Sequence, residues 1–473
     1  MFQTLKNAWK TQELKTKLLF TLLIVILYRL GSAIPVPWVS DAVGESFTQS
    51  FNYAVQLIAG DAFGKATLFA LSVSPYITSS IIMQLLTIAI PPLERLAKQG
   101  EEGKKKIAMI TRLVTMALAL VTAIGYANLI KQNGFLDFGK TNPTFGLIVI
   151  IACYCAGAAI VMWLAEKINE FGIGNGISVI LFANIIARLP ATAVNIYNMI
   201  RTAIVNINAG GNDAVFYLVT SIVWSLFIVA LMVGLVWLIV WFTDSERRIP
   251  VQYAKRVVGR KMYGGQSSNL PLKLNMAGVM PVIFANSIVS IPGTLATIWP
   301  YKSGTTEPSG LANLANNYFN YTKPLYVLLS VILLFAFAYF YILISFNPVE
   351  VANNIRNNGG AVPGIRPGRP TVEYIQKILN RITFIGAVFL CIVSEVPKML
   401  VSVFETINDI AATQVSVGTV VEYIQKFYAY GSSSFLTVAF AGTSILIVVG
   451  VILETVRELE AQLTMRNYKG FLD

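Results

Sequence analysis

The chain has 473 residues, with 36 Lys and Arg against 24 Asp and Glu, no histidine, and a net charge of +12. Hydrophobic residues make up 55% of it and charged residues 13%, and the mean hydropathy is +0.64. A soluble domain carries about 25% charged residues, so this composition excludes one and describes a polytopic membrane protein. The lack of histidine removes the commonest general base and metal ligand.

Apolar stretches long enough to cross a bilayer, about 20 residues each, fall at 18–34, 68–90, 107–130, 146–165, 215–242, 277–299, 325–346, 379–400 and 435–453. The first is followed by Pro35 and Pro37 instead of a small-residue cleavage site, so it reads as a span and not as a signal peptide. A tenth segment, 177–195, holds Asn184, Arg188 and Pro190 and is weak by hydropathy. Parity supplies it. Lys6, Lys10, Lys15 and Lys17 place the N-terminus in the cytoplasm, and Arg95, Lys98, Lys104, Lys105 and Lys106 do the same for loop 91–106. Only a crossing at 177–195 keeps the basic loop 243–274 on that side. The expected fold is all-α, with ten spans and both termini cytoplasmic. The expected divisions are 1–195, 215–453 and a cytoplasmic tail at 454–473. Five is odd, so the two sets of five enter from opposite sides and could be inverted repeats around a central pathway.

Loop 243–274 carries Arg247, Arg248, Lys255, Arg256, Arg260, Lys261 and Lys273 against Asp244 and Glu246. That surplus exceeds what orientation needs and points to a large anionic or acidic cytoplasmic partner. Residues 60–71 form a short, mildly amphipathic segment before Pro75 starts a new apolar run. It is either an external surface helix or a broken span that lines a cavity or is buried in protein. The turn Gly172-Ile173-Gly174-Asn175-Gly176-Ile177-Ser178 fails the dinucleotide spacing, because Ile177 stands at the third glycine position, and it reads better as a tight turn before a helix. The three cysteines lie in apolar runs, as small core residues do. No nucleotide motif, metal-spaced cluster or cofactor site appears. In-span charges are few, with Glu395 near the outer end of the ninth span and Glu166 near the inner end of the fourth.

Several blocks in order resemble the SecY family, over nearly the whole chain. They are Tyr28–Gly31 with Ile34–Pro37, Pro75–Leu86, Gly172–Ser178, Leu270–Pro281, Phe346–Pro348 and Val362–Gly368. The resemblance implies ten helices in two inverted five-helix halves around an hourglass pore that conducts unfolded polypeptide. It implies an apolar pore ring at Val73, Ile77, Ile177, Leu181, Ile283 and Ile447. A plug is implied near 60–72, with Asp61, Phe63, Gly64 and Leu68, and a lateral gate opening to membrane lipid, with Gln84 and Asn275. It implies docking of the ribosome and of the SecA motor ATPase on Arg247, Arg248, Lys255, Arg256, Arg260, Lys261 and Arg366. SecE-type and SecG-type subunits are implied as neighbours, and signal peptides and unfolded chains as cargo, in a bacterial cell membrane. Val349 and Glu350 follow Asn347-Pro348 where the family usually has a basic residue. The stretch from Pro397 to Phe435, with amphipathic pieces at Met399–Ile410 and Gly418–Tyr428, is longer than the family's external loop.

Two other classes compete. A small-solute carrier would need a polar midplane site. A membrane enzyme would need paired carboxylates, histidine or a metal-spaced cysteine set. The sequence supplies a convincing form of neither.

Overall fold

The computed structural model describes residues 2–40, 61–132, 134–139, 142–187, 189–208, 214–253, 256–258, 261–263, 267–293, 310, 314, 318–319, 323–413 and 442–465. Its helices, in chain order, are α1 (Phe2–Lys10), α2 (Gln12–Gly31), α3 (Asp61–Gly64), α4 (Ser74–Ala89), α5 (Pro91–Ala97), α6 (Glu101–Gln132), α7 (Pro143–Phe171), α8 (Gly176–Ile186), α9 (Leu189–Asn208) and α10 (Ala214–Asp244). They continue with α11 (Met280–Val289), α12 (Pro324–Ser345), α13 (Pro348–Asn357), α14 (Arg369–Thr413) and α15, residues 442–465. Each apolar stretch found in the sequence overlaps one of these helices.

Local chemistry sets the helix starts. Proline occupies the first turn of α4, α5, α7, α11, α12 and α13, where its missing N–H costs nothing. Asn142, Asn175 and Asn347 cap α7, α8 and α13, each side chain accepting from a first-turn backbone N–H. The Phe346-Asn347-Pro348 block is therefore a helix-start device, cap plus proline.

Helix α4 bends by 104° into α5. The weak segment 177–195 departs from a plain span. Helix α8 ends at Ile186, a second helix, α9, runs from Leu189, and α9 packs on α10. In the first set of helices α2, α4, α6, α7 and α8 pack together, and in the second α11, α12 and α14 do so. The two sets meet where α4 packs against α11. One buried apolar cluster runs through both sets, from Ile24 and Tyr28 to Ile447 and Leu453.

The membrane part is helical, and loop 243–274 adds a sheet that the hydropathy reading did not anticipate. Strand β1 (Glu246–Tyr253) pairs antiparallel with β4 (Ser267–Lys273), and β2 (Arg256–Val258) pairs with β3 (Lys261–Tyr263). Alternation shows in β1: Ile249 and Val251 are buried, while Arg248, Pro250 and Gln252 are exposed, and Arg247 is exposed near the strand's start.

Candidate pore, plug and docking surface

The segment after residue 60 is buried in protein, against the reading of an exposed surface helix. After α3 the chain turns through Val73, burying Phe63, Gly64, Ala66, Thr67, Phe69, Ala70 and Leu71, with Leu68 half-buried. The Phe63 and Tyr126 rings lie 4.5 Å apart, and the Tyr126 hydroxyl donates to the Phe63 carbonyl. The Leu68 N–H donates to the Ile34 carbonyl at 2.9 Å, and Thr67 bridges to Pro35. Gly157 on α7 makes room for this segment: a Cβ there would come within 2.0 Å of the Leu68 carbonyl oxygen.

Two residues of the segment, Ala66 (φ +49) and Ser72 (φ +48), sit in the left-handed region, at a cost of about 1–2 kcal/mol each. Each is held by a tyrosine. The Tyr154 hydroxyl donates to the Ala66 carbonyl at 3.2 Å. Tyr28, Ser72 and Asn184 close a ring of hydrogen bonds: Tyr28 donates to Asn184 Oδ1 at 2.7 Å, Asn184 donates to Ser72 Oγ at 2.8 Å, and Ser72 lies 3.1 Å from the Tyr28 hydroxyl. All three are buried. The backbone strain is thus stabilised by satisfied polar groups.

Val73, Ile77, Leu181, Ile283 and Ile447 are all buried and belong to one apolar cluster, to which α4, α8, α11 and α15 contribute. Ile177, in the first turn of α8, is half-buried and packs against that cluster from its edge. Gln84 is exposed near the end of α4. Asn275 is buried just before α11 and lines a cavity of about 420 Å³, together with Lys273, Gly278, Tyr341, Glu454 and Arg457. Arg457 pairs with Asp244 at 2.7 Å on the same side.

Sequence reasoning missed the partner of Glu395. Its carboxylate accepts from Lys398 at 3.0 Å, with both side chains 3% exposed. Lys398 also donates to Asn286 at 3.4 Å and lies 5.9 Å from the Tyr326 ring. The spacing of three on one helix was the available signal. The three cysteines are free and half-buried, packing against the apolar clusters as expected.

The two basic loops form one surface. Strand β5 (Gly360–Ala361) joins the edge of β1, pairing Gln252 with Ala361 and Tyr253 with Gly360. Arg366 is exposed in the turn that follows, and Arg247 and Arg248 are exposed on β1, Arg248 pairing with Glu246 at 2.7 Å. Arg256 and Lys261 lie on the β2–β3 hairpin. Lys255, Arg260 and the piece Gly418–Tyr428 fall outside the described residues, while 399–410 continues α14.

The glycine-rich turn holds a carboxylate. Asn169 accepts from Gly176 N–H at 2.7 Å, and Gly174 (φ +86) donates its N–H to Glu458 of α15 at 2.9 Å.

A helical bundle with a buried segment packed on an apolar cluster shared by both sets of helices fits a channel better than a carrier with a polar midplane site. The comparisons agree. The SecY family model matches residues 67–456. Protein translocase subunit SecY of Streptomyces galbus is 39% identical over 489 residues, that of Streptomyces coelicolor 40% over 488 and that of Halalkalibacterium halodurans 38% over 475, each covering 100% of both chains. A solved protein-conducting channel superposes with a TM-score of 0.60 at 16% identity, covering 94% of this chain and 92% of that one. Sec61 in the canine ribosome-channel complex gives 0.58 at 16% identity, with the same coverage. The chain belongs to the SecY family. It is a membrane protein with that family's all-α channel fold, and it serves protein translocation.

Proposed function

We propose that unfolded polypeptide crosses the membrane between the halves 1–195 and 215–453, through a ring formed by Val73, Ile77, Ile177, Leu181, Ile283 and Ile447. Segment 61–73 acts as the plug beneath it. An empty apolar constriction seals by dewetting, yet flexes around a passing chain. The observation that supports this reading is that Val73, Ile77, Leu181, Ile283 and Ile447 belong to one buried apolar cluster, which also includes Phe69 of segment 61–73, with Ile177 packed against it. Hydrophobic segments leave sideways between α4 and α11, past Gln84 and Asn275. The termini and the β1–β4–β5 sheet face the cytoplasm, in line with their basic charge. That sheet and the β2–β3 hairpin receive the ribosome or the SecA ATPase, and clustered Lys and Arg suit both rRNA and an acidic motor surface. The ribosome-bound neighbour supports the ribosome as a partner; SecA and the SecE-type and SecG-type subunits complete the proposal.

The test is protease protection of a presequence-bearing unfolded substrate in vesicles holding this chain, a SecE-type subunit, SecA and ATP. Protection that requires SecA and ATP is expected. Uptake of small solutes without any protected substrate would sink the reading.

A further inference from the structure

We propose that Glu458 is a positioning residue of the seal: its carboxylate, held by the Gly174 N–H, registers α15 against the start of α8 and so sets the resting separation of Ile447 and Ile177. The inference rests on the ring reading above.

The contact joins residues 284 apart in sequence: Gly174 lies in the half 1–195, and Glu458 lies on α15, which runs unbroken from the half 215–453 into the segment 454–473. A carboxylate accepting a backbone N–H is a charge-assisted bond, shorter and stronger than a neutral one. Glu458 Oε2 accepts from Gly174 at 2.9 Å, and Oε1 accepts from Gln462 Nε2 at 3.2 Å, so the carboxylate is oriented from its own helix. The turn is pressed onto α15 at the same point, since a Cβ on Gly174 would sit 3.1 Å from Thr455 Oγ1.

Both sides of the contact transmit its position to the ring. On one side, Asn169 holds Gly176 N–H, Asn175 caps Ile177 N–H at 3.1 Å, and Thr21 accepts from Ile173 N–H at 3.0 Å. The turn is therefore stiff, and Ile177 lies three residues beyond Gly174. On the other side, Ile447 and Glu458 are eleven residues apart on one helix. Eleven residues make about three turns, so the two side chains share a face, about 16 Å apart along the axis. A separate small cluster floors the contact: Ala8, Leu14, Ile173 and Leu459 are buried together, flanked by Leu18 and Leu463. Thr4 donates to Glu460 at 3.0 Å and Lys17 to Gln462 at 3.3 Å, bringing α1 and α2 to the same helix. Separation of the halves at this mouth must break the Glu458–Gly174 bond or pivot on it.

The experiment measures resting ion conductance of the full chain with its SecE-type subunit in planar bilayers, for wild type, Glu458→Ala, Glu458→Gln and Ile283→Gly. Ile283→Gly reports on the ring. Glu458→Ala should raise resting conductance several-fold, and Glu458→Gln, which keeps an acceptor oxygen for Gly174, should restore most of the seal. If Ile283→Gly leaks and Glu458→Ala does not, the positioning role is overturned and the ring stands. Equal leaks from Ala and Gln also overturn it, because they would reflect the missing charge and not the missing bond. No leak from Ile283→Gly removes the ring reading, and the inference with it. Should Glu458→Ala fail to fold, Glu458→Asp draws the carboxylate back by one methylene. A leak between those of wild type and Ile283→Gly then supports the role, and a wild-type seal overturns it.

Discussion

The Tyr28 hydroxyl donates to Asn184 Oδ1 at 2.7 Å, joining two helices 156 residues apart in sequence, with Ser72 as the third member of the ring. Tyr28→Phe removes one donor and leaves Asn184 and Ser72 to pair with each other. Interhelical hydrogen bonds in membranes average about 0.6 kcal/mol, and a buried unsatisfied acceptor costs about 1–3 kcal/mol. The expected loss lies between these, about 1–2 kcal/mol, read as reduced stability to thermal or denaturant unfolding in detergent. An unchanged midpoint would show that the ring is not a stabilising unit. Because Ser72 has φ +48, the same variant should loosen the end of segment 61–73.

The close approach of Gly157 to the Leu68 carbonyl gives a sharper probe of that segment. A methyl at 157 would meet backbone oxygen at 2.0 Å, and backbone cannot rotate away as a side chain can. Gly157→Ala should therefore displace the docked segment while leaving α7 a better helix by about 0.5–1 kcal/mol. The expected outcome is a higher resting ion conductance with normal expression. A sealed Gly157→Ala channel would mean that the segment closes nothing.

Much of the membrane fold was legible, because spans need long apolar runs. The helix starts were legible in kind too, since Asn-Pro at 347 and 348 and Asn142-Pro143 are cap signals. What the sequence hid was contact between distant residues. Nothing near Gly174 announces that Glu458 will fill its N–H, and nothing near Tyr28 names Asn184. The strand β1 was hidden for another reason. Its alternation of Ile249 and Val251 with polar neighbours is short, and the charges of Arg247 and Arg248 drew the reading toward a solvated loop. The candidate ring rests on the resemblance to the SecY family. The residues themselves carry no sign that separates a pore-lining isoleucine from a packed one, and nothing in the sequence distinguishes half-buried Ile177 from buried Ile77.

The buried pair Glu395–Lys398 makes a prediction about stability. Truncating one member strands the other charge, at a cost of about 3–5 kcal/mol, whereas replacing both with apolar residues is often neutral. Lys398→Ala should lower the unfolding midpoint sharply, and Glu395→Leu with Lys398→Met should recover most of the loss. A double variant as unstable as the single one would show that Asn286, which Lys398 also reaches at 3.4 Å, needs the ammonium for its own sake.

The pairing of β1 with β5 makes the two basic loops one surface, so their charges should act together on an anionic partner. Arg366 is exposed in the turn after β5, and Arg247 is exposed on β1. Removing one phosphate-binding cation reduces the slope of log affinity against log salt by roughly one. Arg366→Glu should weaken ribosome binding at low salt and flatten that slope, and Arg247→Glu with Arg366→Glu should do so further. Protein insertion into the membrane should be normal in both variants, since neither charge is in a span. The measurement is cosedimentation of ribosomes with proteoliposomes over a salt series. A slope equal to wild type in the double variant would place the anionic partner on another face, and the β2–β3 hairpin bearing Arg256 and Lys261 would be the next surface to reverse.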